Sequence, residues 1–196
     1  MQAKDIKDVS GAHGGIPSVW VKRFLGGVRA GGRVLDVACG GGRHMRAARC
    51  AGFSVTGVDR NLAGTADLAG AEGVQLFEMD LETGAAAPLS TQFGIGAFDG
   101  VIVTNYLWRP IMKDVVAMVR ADGILIYETF ALGNARHGRP SNPDFLLKPG
   151  ELLDAIRPDL TAIAYEHVTR GDPERGVQRV AAVGSQHRWL LEPPQN

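Results

Sequence analysis

Three aspartates and a run of glycines have the spacing of a nucleotide-binding site. Asp36, Asp59 and Asp80 each stand at the end of a short apolar run, and glycines fill positions 40 to 42. Glycine lets the backbone turn tightly and approach a ligand, and the helix that follows directs free N–H groups toward an anionic group. A carboxylate about twenty residues after such a turn can accept hydrogen bonds from both ribose hydroxyls. The pattern therefore predicts a ligand with an adenosine-like half.

The residues around the glycines indicate what the other half of the ligand carries. A dinucleotide fingerprint needs a small residue at its sixth position, but the sixth residue counted from Gly40 is Met45. Asp36 would repel a pyrophosphate, whereas it suits a cation such as the α-amino group of a methionine. Arg43, at the start of the helix, could pair with the carboxylate of that methionine. No P-loop pattern occurs in the chain.

The aspartates and glycines can form one site only if the strands that precede them end close together. Continuous apolar runs predict strands over 33–37, 53–59, 74–79, 98–105, 123–130, 160–168 and 177–185. Amphipathic segments predict helices over 17–28, 42–51, 61–70, 109–121 and 149–157. The alternation indicates an α/β fold with a doubly wound sheet and helices on both faces. Only residues 169–176 join the last two strands, so we expect five parallel strands followed by a terminal antiparallel pair.

The length of 196 residues is that of one domain. We expect residues 1–196 to form it, with residues 1–30 as a helical N-terminal cap. Residues 131–151 form a long loop rich in Gly, Pro and Asn. Loops of this length in a compact domain are usually functional. We expect this loop on the acceptor side of the site, where the second reactant would bind.

Composition narrows the class of protein. The chain has 21 basic and 21 acidic residues and zero formal net charge, which makes nucleic acid an unfavoured partner. Its two cysteines, Cys39 and Cys50, form no metal-ligand spacing, so no metal is expected. The first residues lack an apolar signal region, and the longest apolar runs are of strand length. We therefore expect a cytoplasmic protein without a membrane segment; the oligomeric state stays open.

The fourth predicted strand ends at Thr104-Asn105-Tyr106-Leu107-Trp108, at the same edge of the sheet as the three aspartates. Asn105 and Tyr106 are candidate walls of the reaction site and Trp108 a candidate substrate contact. The alternative for Asn105 and Tyr106 is a capped strand end with a half-buried aromatic.

The fifth predicted strand and the loop after it supply further candidates. Glu128 is either a substrate contact or the exit of a strand into solvent. Arg136 and Arg139 could clamp an anionic substrate, or belong to a solvated loop with ordinary turn chemistry. Histidines at 13, 137 and 167 are expected to be structural or solvated.

These residues resemble the class I S-adenosylmethionine-dependent methyltransferases. The first motif of that family reads roughly D/E-x-G-x-G-x-G, with acidic residues after the second and third strands; Ala38 replaces its first glycine here. The segments ACGGGRH, TNYLWRP and YETFALGNARHGRPSNPDFLLKPGELL are similar to a bacterial group often labelled tellurite-resistance-like. The resemblance implies a Rossmann-like seven-stranded sheet and S-adenosyl-L-methionine as cofactor, with S-adenosyl-L-homocysteine as product. The expected cofactor-binding residues are Asp36, Ala38, Cys39, Gly40, Gly42, Arg43, Asp59, Arg60, Asp80, Leu81, Thr104 and Asn105.

The resemblance implies an SN2 methyl transfer to a small-molecule acceptor whose identity the sequence leaves open, with residues 104–108 beside the transferable methyl group. Methyltransferases that act on amino groups of nucleic acids carry a proline pair at this strand end, and this chain has none, which argues against base methylation. Catalytic candidates are Asn105, Tyr106 and Glu128; substrate candidates are Tyr106, Trp108, Arg136 and Arg139. Two alternatives are a catalytically silent partner subunit that binds the cofactor or its product, and a nicotinamide-dependent oxidoreductase. Cofactor binding without turnover would indicate the first, and NADH binding the second.

Overall fold

Seven strands form one sheet in the computed structural model, which describes residues 15–84 and 87–192. The strands are β1 (Arg33–Val37), β2 (Ser54–Asp59), β3 (Val74–Glu78), β4 (Phe98–Thr104), β5 (Val119–Phe130), β6 (Thr161–Arg170) and β7 (Arg175–Val183). Their order across the sheet is β3-β2-β1-β4-β5-β7-β6. The chain therefore reverses its winding direction between β1 and β4, where folds of this class bind ligands.

The strand directions confirm the predicted sheet. β1 pairs in parallel with β2 and β4, β2 with β3, and β4 with β5. β7 is antiparallel to both of its neighbours, β5 and β6. The short β6–β7 connection explains this reversal, because a hairpin can join only antiparallel strands.

The described helices are short. They are α1 (Val19–Phe24), α2 (Arg43–Cys50), α3 (Pro88–Phe93), α4 (Met112–Ala117) and α5 (Glu151–Ile156), accompanied by several 3₁₀ turns. α3 was not predicted, since Leu89 is its one buried residue and the segment therefore shows no apolar face. The predicted helix 61–70 is instead a 3₁₀ turn at Ala63–Leu68.

The predicted helix 109–121 was too long. A 3₁₀ turn at Arg109–Ile111 leads into α4, and β5 already begins at Val119. The amides of Gly96 and Phe98 donate hydrogen bonds to the carbonyl oxygens of Ala117 and Met118 at 2.8 and 3.0 Å. The chain before β4 therefore captures the carbonyls that a longer helix would use, and the apolar residues after it join the sheet.

Two apolar clusters hold the sheet between its helices. Six of the seven residues of β4 are buried, which accounts for its apolar residues at 98 and 101–103. Trp20 of α1 is 1% exposed, and its indole N–H donates to the carbonyl oxygen of Val180 at 3.2 Å. This anchor fixes the described part of the N-terminal cap against the sheet, whereas His13 lies outside the described residues. Across residues 15–84 and 87–192, no helix has the length and apolar character needed to cross a membrane.

Candidate cofactor-binding site

A cleft of about 340 Å³ opens at the carboxyl ends of the parallel strands. Its volume lies at the lower end of the range for small-molecule sites. Six of its lining residues are among the predicted site residues, and three others complete it: Ala38, Asp59, Arg60, Asp80, Leu81 and Tyr106, with Met79, Glu82 and Phe145. The topology therefore brings together the ends of β1, β2, β3 and β4 as the sequence predicted.

Asp59 connects the cleft with the glycine turn. Its Oδ2 accepts a hydrogen bond from the amide of Gly40 at 2.7 Å, and its Oδ1 accepts one from the amide of Asn61 at 3.0 Å. A carboxylate has about four lone-pair positions, so two remain for a ligand. The same side chain can thus shape the turn and accept from a ribose.

The turn after β1 needs unusual backbone conformations. Ala38, Gly40 and Gly42 have φ values of 53°, 51° and 73°. In the predicted family a glycine occupies the position of Ala38, and the observed left-handed conformation explains why glycine is preferred there. Arg46 supports the turn from outside, because it donates to the carbonyl oxygen of Gly41 and forms a 2.5 Å ion pair with Asp67.

Asp36 is the buried acidic residue of the site. Only 2% of its surface is exposed, and its Oδ2 has no hydrogen-bond partner in the described part of the chain. Burial raises the pKa of this carboxyl to about 7, while the charge of Arg43 opposes the rise. A buried, unpaired carboxylate oxygen is costly, and a cationic ligand group would relieve that cost.

Two residues at the start of α2 have different environments. Arg43 is half-buried, and its Nη1 lies 3.4 Å from the carbonyl oxygen of Ile16. His44 is buried; its Nε2 accepts from the amide of Ser18 at 3.1 Å, and its Nδ1 lies 3.3 Å from the hydroxyl of Thr104. Burial lowers the pKa of His44 to about 3, so this ring is a neutral structural link.

Asp80 and Tyr106 both line the cleft. Asp80 Oδ1 accepts a hydrogen bond from the amide of Glu82 at 2.9 Å, which fixes the turn after β3. The buried hydroxyl of Tyr106 has no partner among the described residues, and burial raises its pKa. Tyr106 is therefore a protonated phenol whose hydroxyl is free to bind a ligand.

Three further predicted residues follow β1 and β4: Cys39, Asn105 and Trp108. Cys39 is buried, its amide donates to the carbonyl oxygen of Val58 at 3.0 Å, and burial raises its pKa to about 12. Asn105 is exposed with φ 55°, and its amide donates to the carbonyl oxygen of Glu128 at 2.9 Å. The indole N–H of Trp108 is buried and unpartnered in the described part.

Glu128 belongs to a network that the sequence did not reveal. Its Oε1 accepts from the hydroxyl of Ser18 at 2.9 Å, and its Oε2 lies 3.3 Å from Nη1 of Arg179. Arg179 also forms a 2.5 Å ion pair with Glu166, and its guanidinium lies 4.3 Å from the ring centroid of Trp20. An arginine inside the apolar run VQRVAAV is the sequence signal that predicts such a buried ion pair.

Asn134 ties the first part of the loop after β5 both to the loop itself and to β7. Buried Asn134 donates from Nδ2 to the carbonyl oxygen of Pro140 and accepts at Oδ1 from the amide of Gly176, at 2.9 and 3.1 Å. Arg136 and Arg139 are exposed on this first part of the loop and do not line the cleft. The second part, around Phe145, reaches the cleft itself. No group of three or more metal-ligating side chains occurs among residues 15–84 and 87–192.

The arrangement fits a ligand with an adenosine part and an amino-acid part. The cleft presents carboxylates at Asp59 and Asp80 beside an apolar wall at Leu81. Farther along the same edge, the unpartnered oxygen of Asp36 and the guanidinium of Arg43 offer one acceptor and one donor. A zwitterionic amino-acid group needs both.

Comparisons with solved structures establish the fold. An S-adenosylmethionine-dependent methyltransferase from Mesorhizobium loti is 18% identical, with a TM-score of 0.62 over 83% of this chain and 94% of that one. The 1,6-didemethyltoxoflavin-N1-methyltransferase from Burkholderia thailandensis, with bound 1,6-didemethyltoxoflavin and S-adenosylhomocysteine, is 19% identical, with a TM-score of 0.64 over 85% and 77%. The 4+2 cyclase SpnF is 17% identical, with a TM-score of 0.65 over 85% and 78%.

The chain therefore has the Rossmann-like fold of the methyltransferases, with the mixed seven-stranded sheet that the sequence predicted. The similarity to a cyclase shows that activity cannot be read from this fold alone. No protein-family model and no curated protein matches the chain.

Proposed function

We propose that the chain is an S-adenosylmethionine-dependent methyltransferase that acts on a small-molecule acceptor. The observation that carries the proposal is the set of three carboxylates, Asp36, Asp59 and Asp80, at the ends of three adjacent parallel strands around the glycine turn. The unpartnered oxygen of Asp36 distinguishes the site from a dinucleotide site, since it favours a cationic group. The same feature argues against a nicotinamide-dependent oxidoreductase.

In this proposal Asp59 accepts from the ribose hydroxyls, and Asp80 and Leu81 hold the adenine, with Ala38 and Arg60 completing the cleft. Asp36 and Arg43 bind the amino and carboxylate groups of the methionine. The remaining contacts come from Cys39, Gly40, Gly42, Thr104 and Asn105. Bidentate carboxylate recognition suits the planar guanidinium of Arg43.

The bound cofactor supplies a methyl group on a sulfonium, and the residues of the chain align the acceptor with it. Alignment can supply much of the rate enhancement. A thiolate or oxyanion acceptor needs no base, whereas a neutral hydroxyl or amine can need one. Asn105, Tyr106 and Glu128 are the proposed residues around the acceptor atom, with Trp108 as a further wall. His44 is unsuitable as a base, because its Nε2 already accepts from Ser18.

Several features support a small acceptor. The methyltransferase from Burkholderia thailandensis is described with a small heterocyclic compound bound. Zero net charge disfavours a nucleic-acid partner. Arg136 and Arg139 lie on the loop at 131–151, from which they could bind an anionic acceptor. We also propose that the chain belongs to the tellurite-resistance-like group and that it is located in the cytoplasm.

A turnover assay tests the activity. Purified protein is incubated with S-adenosylmethionine and a panel of small thiols, carboxylates, phenols and amines, and S-adenosylhomocysteine is quantified. We expect acceptor-dependent product from the native chain. The Asp59→Ala variant should lose most of it at limiting cofactor, because the ribose loses a charged acceptor. Tight cofactor binding without turnover on any acceptor would instead support a silent partner subunit.

A further inference from the structure

Phe145 is the one residue of the long loop that lines the cleft, together with Asp59, Asp80 and Leu81. It ends a 3₁₀ turn at Pro143–Phe145, in which Asn142 Oδ1 accepts from the amide of Asp144 at 3.0 Å. The ring is 45% exposed, whereas the next residue, Leu146, is 2% exposed. The loop therefore turns one large apolar side chain outward, into the cleft, and buries its neighbour.

Arg109 fixes the backbone on both sides of this ring. Its Nη1 donates to the carbonyl oxygen of Asp144 at 2.5 Å, and its Nη2 donates to that of Leu146 at 2.9 Å. Glu151 holds the guanidinium from the other side, with Oε1 2.6 Å from Nε and Oε2 3.0 Å from Nη2. Arg109 does not itself line the cleft, so its effect on a ligand passes through the loop.

The backbone next to Phe145 is also tied to the sheet. The amide of Leu147 donates to the carbonyl oxygen of Phe130 at 3.0 Å, and the amide of Leu132 donates to that of Leu147 at 2.9 Å. A loop held at this many points presents the exposed ring in a fixed place. Among the described residues, no aromatic ring is paired with that of Phe145. An apolar surface held rigidly beside a cleft is stabilised when a flat ligand covers it.

We propose that Phe145 stacks on the adenine base of the cofactor and that Arg109 is the positioning residue for this contact. This inference rests on the proposed function, because it requires an adenosine-bearing ligand in the cleft. It assigns the second part of the loop to cofactor recognition, while the first part, with Arg136 and Arg139, stays on the acceptor side. One continuous segment, the loop at 131–151, thus contacts both the acceptor and the cofactor.

Calorimetric titration with S-adenosylhomocysteine tests the stacking contact. Stacking of a base on an aromatic side chain is worth about 1–3 kcal/mol, so Phe145→Ala should weaken binding by about 5- to 150-fold. Phe145→Trp should bind S-adenosylhomocysteine with the affinity of the native chain, and the fluorescence of the new indole should change on binding. The matched control is Ile95→Ala, which truncates a side chain that is 80% exposed. Ile95 precedes β4 and therefore lies at the amino-terminal ends of the parallel strands, away from the cleft. The affinity of this variant should equal that of the native chain.

A double-mutant cycle tests the role of Arg109. Arg109→Lys keeps the charge but loses the fork that holds two carbonyls and Glu151, so it should weaken binding of S-adenosylhomocysteine. In the Phe145→Ala background the same change should have no further effect on affinity, because Arg109 acts through the ring. A merely structural role would weaken binding equally in both backgrounds. Thermal unfolding of each variant confirms that it is folded before titration.

The outcomes separate this inference from the proposed function. Native-level affinity in Phe145→Ala would overturn the stacking contact and leave the proposed function standing. Additive effects of the two substitutions would overturn the positioning role of Arg109. A native chain that does not bind S-adenosylhomocysteine would overturn both the inference and the proposed function.

Discussion

At the scale of single residues, Asp36 and Asp59 show how environment separates two carboxyls of the same type. Asp59 lies at the mouth of the cleft, with both oxygens accepting backbone N–H groups. Asp36 is buried with one oxygen unpartnered in the described part of the chain. Asp59 is therefore suited to a neutral donor such as a hydroxyl, and Asp36 to a cation that also compensates for its burial.

The burial of Asp36 predicts a pH-dependent cost to stability. Burial raises its pKa from the usual 3.8 to about 7. The folded chain therefore keeps a proton that the unfolded chain has released, and the stability present at low pH is lost as the pH rises through about 7. Relative to Asp36→Asn, the free energy of unfolding of the native chain should fall by about 1–3 kcal/mol from about pH 5 to pH 8.

Urea denaturation of both proteins across this pH range measures the difference. The isosteric variant is the control for all other titrating groups. Burial lowers the pKa of His44 to about 3, so its contribution to stability rises until the histidine of the unfolded chain deprotonates near its usual pKa. This contribution is common to both proteins and cancels in their difference. Parallel stability profiles for the two proteins would contradict the assigned environment of Asp36.

At the scale of elements, strand ends and the segments packed on them determine the shape of the site. The residues after β1 and β4 both include a non-glycine residue with positive φ, Ala38 and Asn105. Asparagine adopts this conformation more readily than alanine does. The turn at Ala38 is therefore strained, whereas the turn at Asn105 suits its residue.

Replacing Ala38 tests the strain in the glycine turn. At φ 53°, Ala38→Gly should stabilise the chain by about 1 kcal/mol, because glycine has no Cβ to clash in the left-handed region. The same change at Ala155, inside α5, should destabilise it by about 1 kcal/mol. Chemical denaturation measures both, and destabilisation by Ala38→Gly would show that the turn is unstrained.

The network of Arg179 joins α1 to β5, β6 and β7. Arg179 is 5% exposed in its side chain and contacts the carboxylates of Glu128 and Glu166. Arg179→Met should destabilise the chain by about 3–5 kcal/mol, because it leaves the largely buried Glu128 without its cation and Glu166 with only the more distant Arg170. Arg170→Met is the matched control, since Arg170 reaches the same Glu166 at 3.7 Å from a 40% exposed position, and it should cost less than about 1 kcal/mol. Equal losses in thermal or chemical denaturation would contradict the special role of Arg179.

At the scale of the whole molecule, the sheet and the cleft follow from short-range patterns. All seven predicted strands are present. The five inner strands are largely buried and therefore contain long apolar runs, whereas the edge strands β3 and β6 are only partly buried. Parallel strands bring their carboxyl ends to one edge, so aspartates at the ends of successive runs meet at the cleft. The contacts of Arg109 with Asp144, Leu146 and Glu151 span 35 to 42 residues. Such contacts depend on tertiary packing, so neither the orientation of Phe145 nor the partners of the buried Arg179 could be predicted from local sequence.

The most direct test of the account is parallel calorimetric titration of the purified chain with S-adenosylhomocysteine, S-adenosylmethionine and NADH. The geometry of Asp36, Asp59 and Asp80 predicts micromolar binding of the first two and none of NADH. Asp59→Ala should bind both much more weakly while remaining folded, and the surface variant Asp122→Ala should bind like the native chain. Binding of NADH alone would contradict the account, because it would mean that the glycine turn holds a pyrophosphate beside Asp36.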